Sequence, residues 1–214
     1  MFLSKYIINS ITEFILLDKP LLGLNFDGFR CSSYQNRSVT PDSPTNYIDD
    51  SFRVFSDVGI NCIRIPIHWE SYEKNPAEFN DEIDNISVNA NRYNIFCIYD
   101  NHQWECSSYL GYGIGFPNSL LLPEFHKDNP EKTSLDPPSY EDLENFWNNW
   151  WDRKLKTDDG KDGWEKQLEY LEQVVRRVKD KKSTFGFEIL NEPQVFRQGD
   201  FKLVGNYHGY ILER

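Results

Sequence analysis

Paired cysteines, long apolar runs and an excess of positive charge are all missing from this 214-residue sequence. Each absence removes a class of protein. Cys31, Cys62, Cys97 and Cys106 make no CxxC pair, and no histidine stands near them at zinc-like spacing, so neither a structural metal nor a cofactor is expected. Cys62 and Cys97 lie inside apolar runs and read as small buried hydrophobes. Cys31 and Cys106 follow such runs and would meet in a disulfide only in an oxidising compartment, so free thiols are the expectation. The apolar clusters of residues 1–17 are broken by Asn9, Ser10, Thr12 and Glu13, too often for a secretory core or a membrane span. Read literally, that implies a cytoplasmic protein; it implies a secreted one if the true N-terminus lies upstream. With 34 acidic residues against 23 Lys and Arg, the net charge of -11 repels phosphate backbones and anionic lipids. Nucleic acid and membrane surfaces are therefore excluded as partners, and a neutral substrate fits better.

What the sequence has in quantity is rings: 6 Trp, 12 Tyr and 15 Phe, more than a core alone requires, so some are expected to face a ligand. Four short runs rich in Ile, Leu, Phe or Val, at 21–26, 62–69, 95–102 and 185–191, have the character of buried parallel strands. Between them lie helical patterns. The first, at 47–58, carries Ile48, Phe52 and Phe55 on one face and stops at Gly59; the second, at 81–93, carries Ile83, Ile86, Ala90 and Tyr93 and stops at Asn94. In the third, Trp164, Leu168, Leu171, Val175 and Val178 recur at helical spacing behind an Asp162/Glu165 capping box. A fourth begins near Phe201 and continues through Tyr207 and Ile211. The order β-α-β-α-β-insertion-α-β-α indicates a parallel α/β fold. A small hairpin over 14–22 is expected to lead into it. The stretch 103–162 is too long for an ordinary connection and is expected to carry function, with Ser139 and Asp142 capping a short helix that bears Phe146, Trp147, Trp150 and Trp151.

One segment stands out. Thr184-Phe185-Gly186-Phe187-Glu188-Ile189-Leu190-Asn191-Glu192-Pro193 is an apolar run that delivers Asn191 and Glu192 into a proline turn. A carboxylate placed where a buried strand stops is held rigidly and partly desolvated, as acid/base chemistry requires. The bland alternative is a simple turn. In the second run, alternation puts Arg64, Pro66 and His68 on one face and Ile63, Ile65 and Ile67 on the other. If the isoleucines meet helices, Arg64 points inside and demands carboxylate partners, of which Glu188, sharing a face with Glu192, is the expected one. His102 ends the third run with Asp100 on the same face. It is either a ligand for substrate or a core histidine satisfied by Asp100.

These matches fall in order along the chain. Phe187-Glu188-Ile189-Leu190-Asn191-Glu192-Pro193 resembles the fourth-strand signature of glycoside hydrolase family 5, the cellulase-like (β/α)8 TIM barrels. Leu22-Gly23-Leu24-Asn25-Phe26-Asp27-Gly28 is similar to that family's first strand, Asn61-Cys62-Ile63-Arg64-Ile65-Pro66 to its second, and Ile98-Tyr99-Asp100-Asn101-His102 to its third. The resemblance spans about 14–193. It implies that residues 1–214 are part of a barrel catalytic domain containing about the first four β/α units, acting on β-linked polysaccharides or oligosaccharides by a retaining mechanism. It makes Glu192 the general acid/base and Asn191 the ligand of the hydroxyl beside the reacting carbon. By the same resemblance His102 binds a sugar hydroxyl and Arg64 orients the nucleophile. Trp104, Trp147, Trp150 and Trp151 lie in the insertion on the side where barrel active sites form. Indole stacks on the apolar face of a pyranose, so one or two are expected to be sugar platforms, Trp104 among them, and the others to pack the insertion.

A retaining glycosidase needs a second carboxylate about 5 Å from the first. In the family it comes from the seventh strand. A complete barrel takes roughly 250 residues, and no residue of this sequence matches the nucleophile's position, so none is assigned; Glu105 and Asp27 lie near the right rim without a motif behind them. Two readings follow: a longer glycosidase of which this is the N-terminal half, or a carbohydrate-binding remnant without turnover. Under both, the 214 residues alone are expected to show no hydrolysis of β-1,4-glucan or mannan oligosaccharides. Assayed turnover that disappears in Glu192→Gln would reveal a nucleophile inside the chain.

Overall fold

Ile63, Ile65 and Ile67 alternate with Arg64 and Pro66, the period-two pattern of a strand whose faces meet different surroundings. In the computed structural model, which describes residues 20–32, 46–108, 113–120, 139–157 and 159–213, these isoleucines are completely buried. They belong to β2 (Cys62–Ile67), which lies between β1 (Gly23–Asn25) and β3 (Phe96–Asn101), with β4 (Thr184–Glu188) beyond β3. All neighbouring pairs are parallel.

Helices separate the strands in sequence. They are α1 (Tyr47–Asp57), α2 (Trp69–Lys74), α3 (Pro76–Tyr93), α4 (Tyr140–Trp151), α5 (Gly163–Val178) and α6 (Phe201–Leu212). Consecutive parallel strands joined through helices form the repeating unit of a (β/α) barrel, so the α/β class and the partial-barrel arrangement expected from the sequence hold. The core lies between the isoleucine face of the sheet and the inner faces of α1, α3 and α5, where Phe52, Ile83, Ile86, Ala90, Val174 and Val178 are fully buried. Gly59 and Asn94 end α1 and α3 with φ of 84° and 54°, the left-handed conformation that stops a helix.

The strands are shorter than the apolar runs that announce them. β2 ends before Trp69, because His68 and Trp69 turn into α2, a helix the pattern did not reveal. α3 starts at Pro76 rather than at 81: the Asn75 side chain accepts from Glu78 N, and proline at the first helical position needs no N–H partner. On α5 the buried stripe passes through Val174 rather than Val175. Its capping box at Asp162 and Glu165, and that of α4 at Ser139 and Asp142, are both formed. The first limb of the expected hairpin, 14–16, lies outside the described residues, as does His126. All four cysteines are buried free thiols, so Cys31 and Cys106 are not joined.

The insertion buries three of its four tryptophans. Trp147, Trp150 and Trp151 are buried and pack with Phe116, Phe146, Trp164 and Tyr207 in one aromatic cluster, so none is a sugar platform. These rings extend the main hydrophobic core into the insertion. The α5 start fits under that cluster only as glycine: a Cβ on Gly163 would lie 2.6 Å from Trp150 Cζ3. Gly163→Ala should therefore destabilise the protein, by about 1–3 kcal/mol for overpacking, although the same change in a helix is ordinarily favourable. Urea unfolding of the two forms checks the sign.

Candidate active site

Main-chain hydrogen bonds fasten the strand ends together: His102 N donates to Ile67 O (3.0 Å) and Asn191 N to Asn101 O (3.0 Å). At that rim the side chains expected to matter converge on Arg64. Its Nε donates to Glu188 Oε2 (2.9 Å), Nη1 to Asn25 Oδ1 (3.0 Å) and Nη2 to Asn191 Oδ1 (3.0 Å). Nη2 also lies 2.8 Å from an oxygen of both Asp100 and Glu188. One guanidinium on β2 thus touches a side chain from β1, from β3, from β4 and from the turn after β4. The Arg64–Glu188 pairing expected from strand alternation is present.

Asp100 is completely buried, and its Oδ2 lies 2.7 Å from His102 Nδ1. That contact favours the tautomer with the proton on Nδ1, which leaves Nε2 as an acceptor in the neutral ring. Burial pushes the Asp100 carboxyl above its usual range, and the contacts with His102 and Arg64 only partly offset it. His68 packs its ring 5.6 Å from that of His102. It is buried, and burial together with His102 pushes its pKa down to about 3, so it stays neutral. His208, on α6, is away from these strand ends.

Asn191 and Glu192 lie beyond the end of β4, not on it. Asn191 is buried, its Oδ1 taken by Arg64 and its Nδ2 donating to Gln103 O (3.0 Å). Glu192 is exposed, which corrects the expectation of a partly desolvated carboxylate, and it adopts φ of 46°. A non-glycine residue in the left-handed region needs support. Gln103 gives it, donating Nε2 to Asn191 O (2.7 Å) and Glu192 O (2.8 Å) while its Oε1 accepts from Cys106 N (3.0 Å). Sequence reasoning missed Gln103 and Asn25. In the sequence the first reads as the start of the insertion, and the second stands in a motif without a charge to mark it. Trp104 remains 37% exposed, unlike the tryptophans of α4. Among the described residues no group of three His, Cys, Asp or Glu is placed to hold a metal, and no helix is long and apolar enough to cross a membrane.

A parallel sheet joined through helices, with a cluster of polar side chains at the carboxyl ends of its strands, defines the class: a (β/α)-barrel protein whose candidate site lies where such barrels place theirs. Residues 23–203 match the family model described as Cellulase (glycosyl hydrolase family 5), and the chain belongs to that family. No curated protein sequence matches it. Among solved structures, endo-glycoceramidase II from Rhodococcus sp., in complex with a five-membered iminocyclitol, is similar with a TM-score of 0.62 and 18% identity, over 90% of this chain and 46% of that one. A cellotetraose complex of an endocellulase variant from Pyrococcus horikoshii has a TM-score of 0.46 and 19% identity over 90% of this chain and 48% of that one. The chain therefore spans about half the length of these solved proteins, and at such identity the first likeness bears on fold alone.

Arg64→Lys tests the hub. A lysine is a point charge without the planar fork, so it leaves Asn25, Asn191 or Glu188 without a donor. Asn191 is the buried acceptor among the three, and leaving it unsatisfied costs about 1–3 kcal/mol. Unfolding measurements should show a loss of that order, and none if Arg64 were merely a surface cation.

Proposed function

We propose that this chain carries the acid/base half of a retaining glycosidase that hydrolyses β-linked glycans, cellulase- or mannanase-like, with Glu192 as the general acid/base. The observation that supports the reading is the fastening of Asn191 by Arg64 and Gln103 just beyond the end of β4, which holds the exposed Glu192 beside it. In the proposed reaction Glu192 gives its proton to the glycosidic oxygen as the bond to the sugar carbon breaks. A second carboxylate, from a part of the barrel beyond these strands, attacks that carbon from the opposite face, and Glu192 then takes a proton from the water that releases the sugar. No residue of this chain is given the nucleophile's role.

Asn191 is the proposed ligand of the hydroxyl next to the reacting carbon. Its Oδ1, held by Arg64, keeps a second lone pair that can accept from that hydroxyl, a hydrogen bond that strengthens as positive charge on the ring makes the hydroxyl a better donor. His102, oriented through Nδ1 by Asp100, presents Nε2 to a neighbouring hydroxyl, and Trp104 offers an indole face to an apolar pyranose surface. Glu188 and Asp100 serve by holding Arg64 and His102. The exposure of Glu192 favours a second reading, a sugar-binding protein without turnover.

Kinetics on a polypeptide that includes the nucleophile-bearing strand separate the two. Glu192→Gln should lower kcat/KM for β-linked oligosaccharides by about 10²–10⁴-fold, the usual share of general acid catalysis. With a dinitrophenyl glycoside, whose leaving group needs no proton, the same variant should release phenol in a burst and then stall. Unchanged kcat/KM in Glu192→Gln would refute the assignment, and oligosaccharide binding with no turnover in the parent would favour the binding protein.

A further inference from the structure

The chain leaving β3 folds back on itself before α4. Trp104 N donates to Ile114 O (2.9 Å), Ile114 N to Trp104 O (2.8 Å) and Phe116 N to Cys106 O (2.9 Å), so residues 103–108 and 113–116 are two antiparallel limbs. Neither limb is relaxed. Glu105 and Cys106 have φ of 51° and 82°, and Gly115 has φ of 122° with space for no side chain: a Cβ there would lie 2.5 Å from Gln103 Cα. Conformations of this kind persist only where their surroundings over-determine them, and they gather at functional sites.

Glu70 supplies that determination. It stands in the first turn of α2 and is only 3% exposed. Its Oε1 accepts from Ser108 N (3.0 Å) on one limb and from Gly115 N (2.6 Å) on the other, its Oε2 accepts from Ser108 Oγ (2.5 Å), and its own N–H donates to Gly115 O (2.9 Å). Burial pushes this carboxyl up to about 7 against the pull of those three donors. A core alone is better served by a hydrophobic side chain of that size. The same limbs carry Gln103, which grips the Glu192 turn, and Trp104, which stands exposed between the two anchors.

We propose that Glu70 is a positioning residue: by clasping both limbs at once it fixes Trp104 as the sugar-facing platform of the cleft, without touching the ligand itself. The inference rests on the glycan-binding reading above, and it adds the device that sets one subsite. Its test uses the full-length protein in a Glu192→Gln background, where turnover does not blur binding. Glu70→Ala should speed amide exchange at Ser108 and Gly115 by about tenfold or more while leaving β2 and β3 protected. It should weaken binding of cellotetraose or mannotetraose by about the same factor as Trp104→Ala, on the order of tenfold. Glu70→Gln should restore both, because its carbonyl still accepts from the two N–H groups and its amide can donate to Ser108 Oγ. With Glu192 intact, Glu70→Ala should raise KM and also lower kcat, because Gln103 on the same limb supports the Glu192 turn, and Glu70→Gln should restore both. If Glu70→Ala does not fold, Ser108→Ala, which removes one donor, should move the same readouts less far in the same direction. Unchanged exchange, or a tetrasaccharide affinity lowered by Trp104→Ala but not by loss of the Glu70 contacts, overturns the inference. So does an unchanged affinity in Trp104→Ala, an outcome that leaves the Glu192 assignment, judged by its own kinetics, untouched.

Discussion

A part-buried guanidinium at the carboxyl end of a parallel sheet draws acceptors to its N–H groups, and that demand from Arg64 organises the whole rim. Its partners come from β1, β3, β4 and the following turn. Each strand is thereby held in register by a polar contact as well as by its ladder. The arrangement also explains why buried Asp100 is tolerable: the oxygen that faces His102 faces Arg64 too. Breaking such a group from one side leaves an uncompensated charge, which is far costlier than the pair is beneficial. The hub is therefore a constraint on sequence more than a source of stability.

Register between β3 and β4 shows how finely that constraint acts. Cys97 pairs with Thr184, but Ile98 pairs with Gly186, so Phe185 is an extra residue on β4. Without it, Phe187 would face Asp100; with it, Glu188 does. A slip of one residue turns a strand's faces over, and the bulge performs that slip locally. Gly186, with open space where a Cβ would be, sits at the irregularity. Alternation within the run made Glu188 a partner for Arg64, but alternation alone carries no information about the neighbouring strand, so the bulge was not legible.

Much of the fold was legible, because buried parallel strands and amphipathic helices write their periods directly into the chain. The isoleucines of β2, the two capping boxes and the stops at Gly59 and Asn94 all lie where the pattern puts them. The charged members of the site were legible for a related reason: Arg64, Asp100 and Glu188 are conspicuous in apolar runs. What escaped was uncharged or acted across distance. Gln103 works through its amide on two carbonyls far along the chain, and Glu70 through two limbs that α3 and β3 separate from it in sequence. Aromatic content alone does not say which of Trp104, Trp147, Trp150 and Trp151 pack, since rings that seal an insertion and rings that meet a sugar look alike in a sequence.

Glu192 is held by its backbone rather than by its side chain. Its left-handed φ is stabilised by Gln103 at the carbonyl and by the locked Asn191 before it, while among the described residues none hydrogen-bonds to its carboxylate. For a group proposed to give up a proton and take one back, that division has a physical logic. A carboxylate tied down by fixed donors is committed to its ionised form, and an acid/base must pass between both forms in each cycle. Positioning by the main chain fixes where the residue stands without tying its carboxyl oxygens to fixed donors. The strain of the turn is then the structural condition for the chemistry, and the neighbouring amides of Asn191 and Gln103 are what make that strain sustainable.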